Sequence, residues 1–376
     1  MLLNLSEDQE FFRETTDRFL TEQVPPDTLR QLRHDPIGYD PSYWRRGAEL
    51  GWTSLLVSEE HGGGTISDSG LADAGLVAYE FGRHAAPGPL AVVNVVAAAL
   101  SEHDAGADVV AGLLSGEAIA TWCAPPFGST QWQPTVDVRR EGDDLVLDGE
   151  SRVVESAGQA SHLLVTCNDG TGVTQVLVTS ETPGVSTAPM GTVDLTRRFG
   201  SVTFRDVRVP AAAVVGTAGE ARADVHRQFE QLIVLLNAES VGAMQAAFDM
   251  TVEWAFDRYS FGRPLASYQA LKHRFADMYM WLQSSHATSD ASCAAVAAGD
   301  PDAAELVSAA KAYIGQYGAE LVQDCTQMHG GIGVTFEHNL HLFLRRVTVN
   351  RALAGTPADH HQRIAGVVGA REGTAA

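Results

Sequence analysis

Hydrophobic positions in the first third of the chain follow a helical period. In SEDQEFFRETTDRFL, which begins at Ser6, the apolar side chains Phe11, Phe12, Phe19 and Leu20 are expected along one helix face. The serine and the acidic residues after it suit a helix start. The segments GLADAGLVAYEFGRH and PLAVVNVVAAAL continue the helical pattern, and GWTSLLVSEEHGGGT, with its three successive glycines, reads as a loop. We predict an N-terminal helical domain over residues 1–118.

From about Ile119 to Val215 the pattern changes to short alternating runs separated by turn residues. DVRREGDDLVLDGE predicts a hairpin, and HLLVTCN, TQVLVTS and GSVTFRDVRVP predict further strands. Runs of this length and spacing are typical of antiparallel sheets. We therefore predict a middle antiparallel β domain of seven or eight strands over residues 119–222.

The helical period returns after GTAGEARAD. One pattern runs from about Arg222 to Arg258 without a proline and predicts a helix longer than 25 residues. A second runs from near Tyr268 to Ala298, a third covers about residues 302–328, and a fourth covers the end. Long helices with short connections predict an antiparallel four-helix bundle over residues 223–376. The predicted fold class is α+β, mostly α.

Composition narrows the function. The chain has 376 residues, of which 45% are hydrophobic and only 19% charged. Such a low charge content in a large helical protein predicts surface buried against other subunits. The formal net charge of −21 argues against nucleic acid and anionic membranes as partners, because both would repel it.

The chain shows no targeting or membrane-spanning pattern. Its start, MLLNLSEDQEFF, lacks the basic and apolar regions of a signal peptide, and no apolar run approaches about 20 residues. The four cysteines are scattered without a CxxC spacing, so we expect buried, reduced thiols and no metal site. Together these features predict a cytoplasmic protein. The cysteines are Cys123, Cys167, Cys293 and Cys325.

The stretch RYSFGRPLASYQALKH, from Arg258 to His273, separates two of the predicted bundle helices. A glycine followed two residues later by a proline is typical of a helix end. Taken alone, the stretch is explained by a helix stop and a helix start. The alternative is that Arg258 is aimed at a ligand.

Four segments resemble the acyl-CoA dehydrogenase family over nearly the full length of the chain. They are LGWTSLLVSEEHGGG, VTFRDVRVP, RYSFGRPLASYQALKHRFADM and QMHGGIGVTFEHNLHLFLRRV, in this order. The resemblance implies a flavoprotein that uses FAD to oxidise an acyl-CoA thioester to its trans-2-enoyl form. A carboxylate would remove the α proton while the β hydrogen leaves as hydride to the flavin. An electron-transfer flavoprotein would then accept the electrons.

The resemblance also implies which residues contact FAD, mainly FAD held by a neighbouring subunit. Arg258 would pair with the pyrophosphate, which suits the planar fork of donors on a guanidinium. Ser260 would add a hydroxyl, and Gln269 an amide. The glycine pair after Gln327 would bring its backbone close to the adenine end, although a bare helix cap also explains it. The full expected set is Arg258, Ser260, Phe261, Leu265, Gln269, Gln327, Gly330, Gly331 and Thr356.

Two other flavin-contacting segments depart from the family pattern. Family members usually carry Thr-Glu-Pro-x-Ala-Gly-Ser-Asp on the loop facing the isoalloxazine, whereas this chain reads CAPPFGST, in which only Pro125, Gly128 and Ser129 match. Cys123 and Ala124 replace the Thr-Glu pair, and Thr130 replaces the Asp. The next strand, Gly-x-Lys-x-Trp-Ile-Thr-Asn-Gly in the family, reads GESRVVESAG. Val153 replaces the stacking Trp, and Glu155 places a carboxylate that would repel the reduced flavin.

The catalytic base of the family is also missing. Its commonest position, before a Gly-Thr pair near the C-terminus, falls on Ala354, and its second position falls on Leu232. Two carboxylates remain on the same predicted helix. Glu230 lies two positions from Leu232 and faces away from the usual site of the base. Glu239 would lie about 10 Å from that site along the helix, at a rise of about 1.5 Å per residue. Glu239 is the remaining candidate for the base; the alternative is a polar or interface contact.

These losses follow a pattern. Features that a subunit uses on its own flavin are eroded, while those it lends to a neighbour are kept. This resembles the partner subunit of heteromeric α2β2 acyl-CoA dehydrogenases of actinobacterial steroid degradation. We therefore expect a subunit of a heterotetramer that has a homologous partner. The resemblance implies an acyl-CoA substrate, and a steroid side-chain thioester is the expected candidate. The alternatives are a self-sufficient, homotetrameric dehydrogenase or oxidase that uses Glu239, and a different reaction such as flavin monooxygenation.

Overall fold

The computed structural model describes residues 5–127 and 132–374, with side chains described through residue 369. Gly128, Ser129 and Thr130 lie outside the described residues. The order of elements is helices, then a sheet, then helices, which confirms the predicted fold class. None of the described helices combines the length and the hydropathy that a membrane span requires.

The N-terminal part begins with a capped helix. The Ser6 hydroxyl accepts a hydrogen bond from the backbone N–H of Gln9, whose side-chain oxygen accepts one from the Ser6 backbone N–H. Phe12 and Leu20 are buried, but Phe11 is 68% exposed, because it lies one position round the helix from the buried row. The helices are α1 (Glu7–Gln23), α2 (Pro26–Gln31), α3 (Pro41–Glu49), α4 (Gly70–His84), α5 (Leu90–Glu102) and α6 (Ala107–Leu114).

Eight described strands form the middle sheet, in the order β6-β7-β3-β2-β4-β5-β8, with β1 added beside β4. Most pairings are antiparallel, as expected. The pairings of β4 with β1 and with β2 are parallel, which the sequence pattern did not predict. The strands are β1 (Ala120–Cys123), β2 (Val136–Glu141), β3 (Asp144–Glu155), β4 (His162–Asn168), β5 (Val173–Thr179), β6 (Val185–Met190), β7 (Phe199–Pro210) and β8 (Val214–Val215).

The C-terminal part begins with a helix of 36 residues, which confirms the prediction of more than 25. Its predicted last helix is instead two helices, interrupted at residues 353–356, where Gly355 has φ +97° and Pro357 starts a new helix. The elements are α7 (Arg222–Asp257), β9 (Tyr259–Ser260), β10 (Arg263–Pro264), α8 (Gln269–Ala297), α9 (Ala303–His329), α10 (Leu340–Ala352) and α11 (Pro357–Thr374).

Helices α4 and α7 cross with their backbones in contact. A Cβ atom on Gly82 would lie 1.8 Å from the carbonyl oxygen of Glu239, and one on Gly242 would lie 1.9 Å from that of Tyr79. Only glycine allows so close an approach. The crossing therefore fixes the middle of α7, and with it Glu239, against the N-terminal helices.

Candidate active site

A cleft of about 560 Å³ opens between the sheet and the C-terminal helices. The end of β3 and the segment after β1 form one wall, and α7 forms another. The connection between α10 and α11 closes the third side. The lining is mostly apolar, with Trp122, Phe199, Phe229 and Leu236 among its larger side chains.

The two positions expected for a catalytic base both line this cleft. Leu232 reaches it from α7, and Ala354 reaches it from the connection between α10 and α11. The connection is held by His360, whose Nε2 lies 2.9 Å from the Ala354 carbonyl oxygen. Burial lowers the pKa of His360 to about 4, so the ring is neutral and its Nε2–H donates. The two positions therefore face one cavity, and neither offers a carboxylate.

The strand expected to face a flavin is distorted. Val153 has φ +59°, a rare conformation for a β-branched residue, at an irregularity in the pairing of β3 with β7. Its side chain is 52% exposed and lines the cleft. An isopropyl group at this position offers no aromatic face on which a flavin ring could stack.

Glu155 also lines the cleft, but its charge is balanced within the chain. Both carboxylate oxygens accept hydrogen bonds from Arg197, at 2.7 Å from Nε and 2.6 Å from Nη2. Glu155 is only 9% exposed, and Arg197 is buried. No sequence pattern points to Arg197, and the Arg197 guanidinium changes the expected effect of Glu155. The carboxylate is part of an ion pair and not an isolated negative charge facing the cavity.

Glu239 belongs to the same buried network. One of its oxygens accepts from Arg346 Nη1 at 2.6 Å, and the other from Arg197 Nη1 at 3.2 Å and Asn350 Nδ2 at 2.7 Å. Glu239 is not among the described residues that line the cleft. Its carboxylate would have to leave two guanidinium groups before it could accept a substrate proton, which is an unfavourable starting point for a base.

Two further groups complete the network. Asp194 accepts from Arg346 Nε at 2.7 Å, and although burial opposes it, the Arg346 charge lowers the pKa of Asp194. Lys311 on α9 donates to the backbone carbonyl of Asn350, and burial together with the nearby Arg197 charge lowers the pKa of Lys311 to about 7. The network therefore joins the sheet to α7, α9 and α10 behind the cleft.

Asp359, another carboxylate of the cleft lining, has a structural partner. Asp359 caps the start of α11, because its Oδ2 accepts from the Thr356 backbone N–H at 2.9 Å and from the Thr356 hydroxyl at 2.7 Å. Thr356 is expected to contact FAD, but its hydroxyl donates to Asp359 within this cap. Glu230 lies outside the cleft lining, in a second cavity beside His226, and burial raises its pKa.

The first group of expected FAD contacts lies on the surface between α7 and α8. Arg258 is exposed, and its backbone carbonyl accepts from the Leu265 N–H at 2.9 Å, which closes the short β9–β10 hairpin. Ser260 is held by its carbonyl, which accepts from the Tyr268 hydroxyl at 2.7 Å. Gln269, the first residue of α8, is also exposed.

Phe261, at the tip of this hairpin, is 96% exposed and has φ +50°. A bulky aromatic residue in the left-handed region is strained, and an aromatic ring in water buries no apolar surface. Among the described residues, no contact of the Phe261 ring offsets either cost. Burial of Phe261 against another chain would offset both.

The second group lies at the end of α9. Gln327, Gly330 and Gly331 are exposed, and a Cβ on either glycine would meet nothing within 4 Å. Gly330 has φ +65°, which favours glycine, whereas packing within the chain does not require Gly331. The open space around both glycines is what a close backbone contact with a ligand needs.

Trp254 joins the two groups. The Arg258 guanidinium lies 5.8 Å from the Trp254 ring centre, and His329 stacks on Trp254 with 5.1 Å between centroids. The structure therefore brings Arg258 and the Gly330–Gly331 turn to the same end of the helical bundle. In the described part of the chain, Trp254 Nε1 and His329 Nε2 are buried without a hydrogen-bond partner.

All four cysteines are buried and free, as expected. Burial raises the pKa of Cys123 to about 12, which makes it a poor nucleophile. Away from the cleft, Asp17, Glu80 and His84 place potential ligand atoms within 4.8 Å of one another. Arg13 and Arg83 lie 3.8 and 3.4 Å from the Glu80 oxygens, and His84 Nε2 lies 2.9 Å from Asp17 Oδ1.

Comparisons with known proteins agree with this arrangement. Residues 6–117 match the N-terminal domain of acyl-CoA dehydrogenases, and residues 223–368 match their C-terminal domain. The acyl-CoA dehydrogenase IpdE2 of Mycolicibacterium smegmatis is 28% identical over 361 residues, covering 96% of this chain and 98% of the relative.

Solved structures share the fold over nearly the whole chain. The Tcur3481–Tcur3483 steroid ACAD (acyl-CoA dehydrogenase), solved as a variant, superposes with a TM-score of 0.87 at 25% identity, over 98% of this chain and 99% of that one. The ChsE4–ChsE5 complex of Mycobacterium tuberculosis gives 0.86 at 23% identity, over 98% and 99%. Together with the matched domains, these similarities show that the chain belongs to the acyl-CoA dehydrogenase family.

Proposed function

We propose that this chain is the partner subunit of a heteromeric, FAD-dependent acyl-CoA dehydrogenase. It would complete the FAD site of a homologous subunit and would rely on that subunit for the catalytic base. The reaction is the α,β-desaturation of an acyl-CoA thioester. The observation that carries the proposal is that Leu232 and Ala354 line one cleft, and that neither can accept a proton.

The cleft of this chain fits an isoalloxazine poorly. Val153 gives no stacking surface, and Glu155 directs its charge to Arg197 and not to a ligand. The surface around Arg258 fits the pyrophosphate end of FAD better. Its guanidinium is exposed, and in the described residues its only interaction partner is the Trp254 ring, so its donors are free for an anion.

When bound, FAD supplies the hydride acceptor for the β hydrogen. The residues of this chain would act on binding rather than on chemistry. Arg258 would donate two parallel hydrogen bonds to the pyrophosphate, and the backbone at Gly330 and Gly331 would approach the adenine end. Phe261 would pack against the neighbouring subunit and exclude water from the interface.

The comparisons support a heteromeric assembly and suggest a substrate. The names Tcur3481–Tcur3483 and ChsE4–ChsE5 each denote a pair of chains, and the first is described as a steroid ACAD. We therefore propose a steroid-derived acyl-CoA as the substrate and an electron-transfer flavoprotein as the electron acceptor. The net charge of −21 makes nucleic acid and anionic lipid unfavourable partners.

The competing function is a self-sufficient dehydrogenase that uses Glu239 as its base. It requires Glu239 to leave Arg197, Arg346 and Asn350, and this costs more than recruiting a free carboxylate. A base within the partner subunit requires no such rearrangement.

The test compares the chain purified alone with the chain co-expressed with homologous subunits. We expect the isolated chain to show no acyl-CoA oxidation, and a co-purified complex to be yellow and active. Activity of the isolated chain that is lost on Glu239→Gln, with its melting temperature kept, would instead establish the self-sufficient enzyme. The melting temperature of the variant must be measured as well, because Glu239→Gln also perturbs the buried network.

A further inference from the structure

An aromatic ring occupies the end of the cleft nearest to the two base positions. In the segment CAPPFGST, Phe127 stands where the family pattern has an alanine. Its ring packs edge-on against Phe229 of α7 at 4.9 Å between centroids, and it stacks on His360 of α11 at 5.0 Å. The Arg363 guanidinium covers it at 5.3 Å from the ring centre. The ring is thus held by three side chains from two helices.

The ring lies directly on the connection that carries Ala354. A Cβ on Gly355 would be 2.5 Å from Phe127 Cδ1 and 2.8 Å from Cε1, and His360 Nε2 would lie at 2.8 Å, so the ring and His360 together fill the space above this glycine. Ala354, Leu232 and Phe127 line the same cleft. A base at either family position would have to come within hydrogen-bond reach of the substrate α carbon. The α carbon and its thioester would therefore need the space that the Phe127 ring fills.

We propose that Phe127 is a specificity-determining residue that closes the thioester end of this cleft to acyl-CoA. The inference rests on the proposed function, and it extends it. The subunit would not only lack a base but would also exclude the substrate, so that it does not sequester acyl-CoA from the site of its partner. The rest of the cleft stays open toward Val153 and Glu155.

The contacts that hold the Phe127 ring in the cleft are all made within this chain and do not depend on a ligand. Removal of the ring in Phe127→Ala leaves Phe229, His360 and Arg363 on their helices and restores the side chain of the family pattern. In Phe127→Tyr the ring stays in place, so this variant should remain closed. Phe199→Ala removes a phenylalanine from the sheet side of the same cleft and leaves Phe127 untouched, so it serves as the matched control.

The test titrates octanoyl-CoA, under anaerobic conditions, into the full chain alone and into the co-purified complex by isothermal calorimetry. Sites of the partner contribute equally to every titration of the complex, so differences between variants report this subunit. We expect Phe127→Ala to gain one site per copy of this chain, with a Kd at least tenfold below that of any binding to this cleft in the wild type. Wild type, Phe127→Tyr and Phe199→Ala should not gain it.

The outcomes separate this inference from the proposed function. If the wild-type chain alone binds and oxidises octanoyl-CoA, both are wrong. If neither wild type nor Phe127→Ala binds, while circular dichroism shows both folded, only the closure by Phe127 is wrong. A gain in Phe199→Ala equal to that in Phe127→Ala would also overturn it, because general loosening would then explain the new site. If Phe127→Ala does not fold, Phe127→Val replaces it under the same criteria.

Discussion

Arg197 donates two parallel hydrogen bonds to Glu155, of 2.7 and 2.6 Å, at the back of the cleft. The same guanidinium reaches Glu239 at 3.2 Å through Nη1, so that one arginine serves two carboxylates. Burial of this arrangement is favourable only while every charge has a partner. The Arg197 guanidinium fixes the wall of the cleft, because it joins Glu155 at the end of β3 to Glu239 in the middle of α7.

Arg197→Met should therefore destabilise the fold strongly. The variant leaves Glu155 and Glu239 buried with fewer partners, and loss of one member of a buried pair costs about 3–5 kcal/mol. The measurement is urea unfolding followed by circular dichroism. The double variant Arg197→Met/Glu155→Leu should be less destabilised than the single one, because the unpaired carboxylate is gone.

The matched control is Arg208→Met. Arg208 also pairs with a glutamate, Glu141 at 2.9 Å, but on the exposed face of the sheet. Its removal should leave the unfolding midpoint unchanged, because exposed ion pairs contribute little. Equal effects of the two arginine variants would contradict the assignment of Arg197 to a buried network.

His360 should make the fold sensitive to acid. Its pKa in the folded chain is lowered to about 4, against an ordinary value near 6.5. Between these values the unfolded chain binds the proton and the folded chain does not, so stability falls as the pH falls from about 6.5 to 4. His360 accounts for at most about 3 kcal/mol of this loss in the free energy of unfolding.

The check is the free energy of unfolding of wild type and His360→Gln across this pH range. Glutamine keeps a donor for the Ala354 carbonyl but does not titrate. His286, whose pKa burial also lowers to about 4, should keep its own share of the pH dependence in both proteins. The unfolding free energy of wild type should fall more steeply than that of His360→Gln as the pH falls from about 6.5 to 4; parallel curves would show that His360 does not titrate as expected.

The sequence predicts the fold well because burial follows the hydrophobic period over long segments. The unbroken period after Arg222 predicts α7, which is 36 residues long. The hydrophobic period does not predict the break between α10 and α11, although Gly355 and Pro357 mark it. Periodicity reports which face is buried, and it is least informative over a few residues at a helix junction.

The cleft could be predicted only in part. The family resemblance points to Leu232 and Ala354, and the structure brings them to one cavity. Arg197 and Arg346 could not be found in this way, because charged side chains are normally expected on the surface and both are buried here. Their partners lie 42 or more residues away in sequence, so no local pattern carries the signal.

Gly355→Ala should test the packing of the cleft end. The substitution places a Cβ 2.5 Å from the Phe127 ring, at a backbone φ of +97°. Strain and overpacking together should cost about 2–5 kcal/mol. In the background of Phe127→Ala the clash with the ring disappears, while the backbone strain and a close contact with His360 Nε2 at 2.8 Å remain. Thermal unfolding of the two single variants and the double variant should therefore show a favourable coupling, and additive effects would place the ring elsewhere.

Arg258 carries the prediction that bears most directly on the cofactor. If it reaches the FAD pyrophosphate of a partner subunit, it makes a charge-assisted contact worth about 2–3 kcal/mol. Its loss in Arg258→Ala would weaken FAD binding about 30- to 150-fold. Flavin absorbance per co-purified complex should fall, while circular dichroism stays unchanged, because the exposed guanidinium contributes little to the core.

Two further variants distinguish a specific contact from a general loss of positive charge. Arg258→Lys should recover only part of the flavin, because an ammonium lacks the two-pronged geometry of a guanidinium. Arg263 lies in the same hairpin but stacks on Tyr268 of its own chain, at 3.9 Å from the ring centre. Arg263→Ala should therefore keep its flavin. Full flavin content in Arg258→Ala would show that Arg258 is only a surface charge at the end of a helix, and equal losses in both alanine variants would point to a nonspecific electrostatic effect.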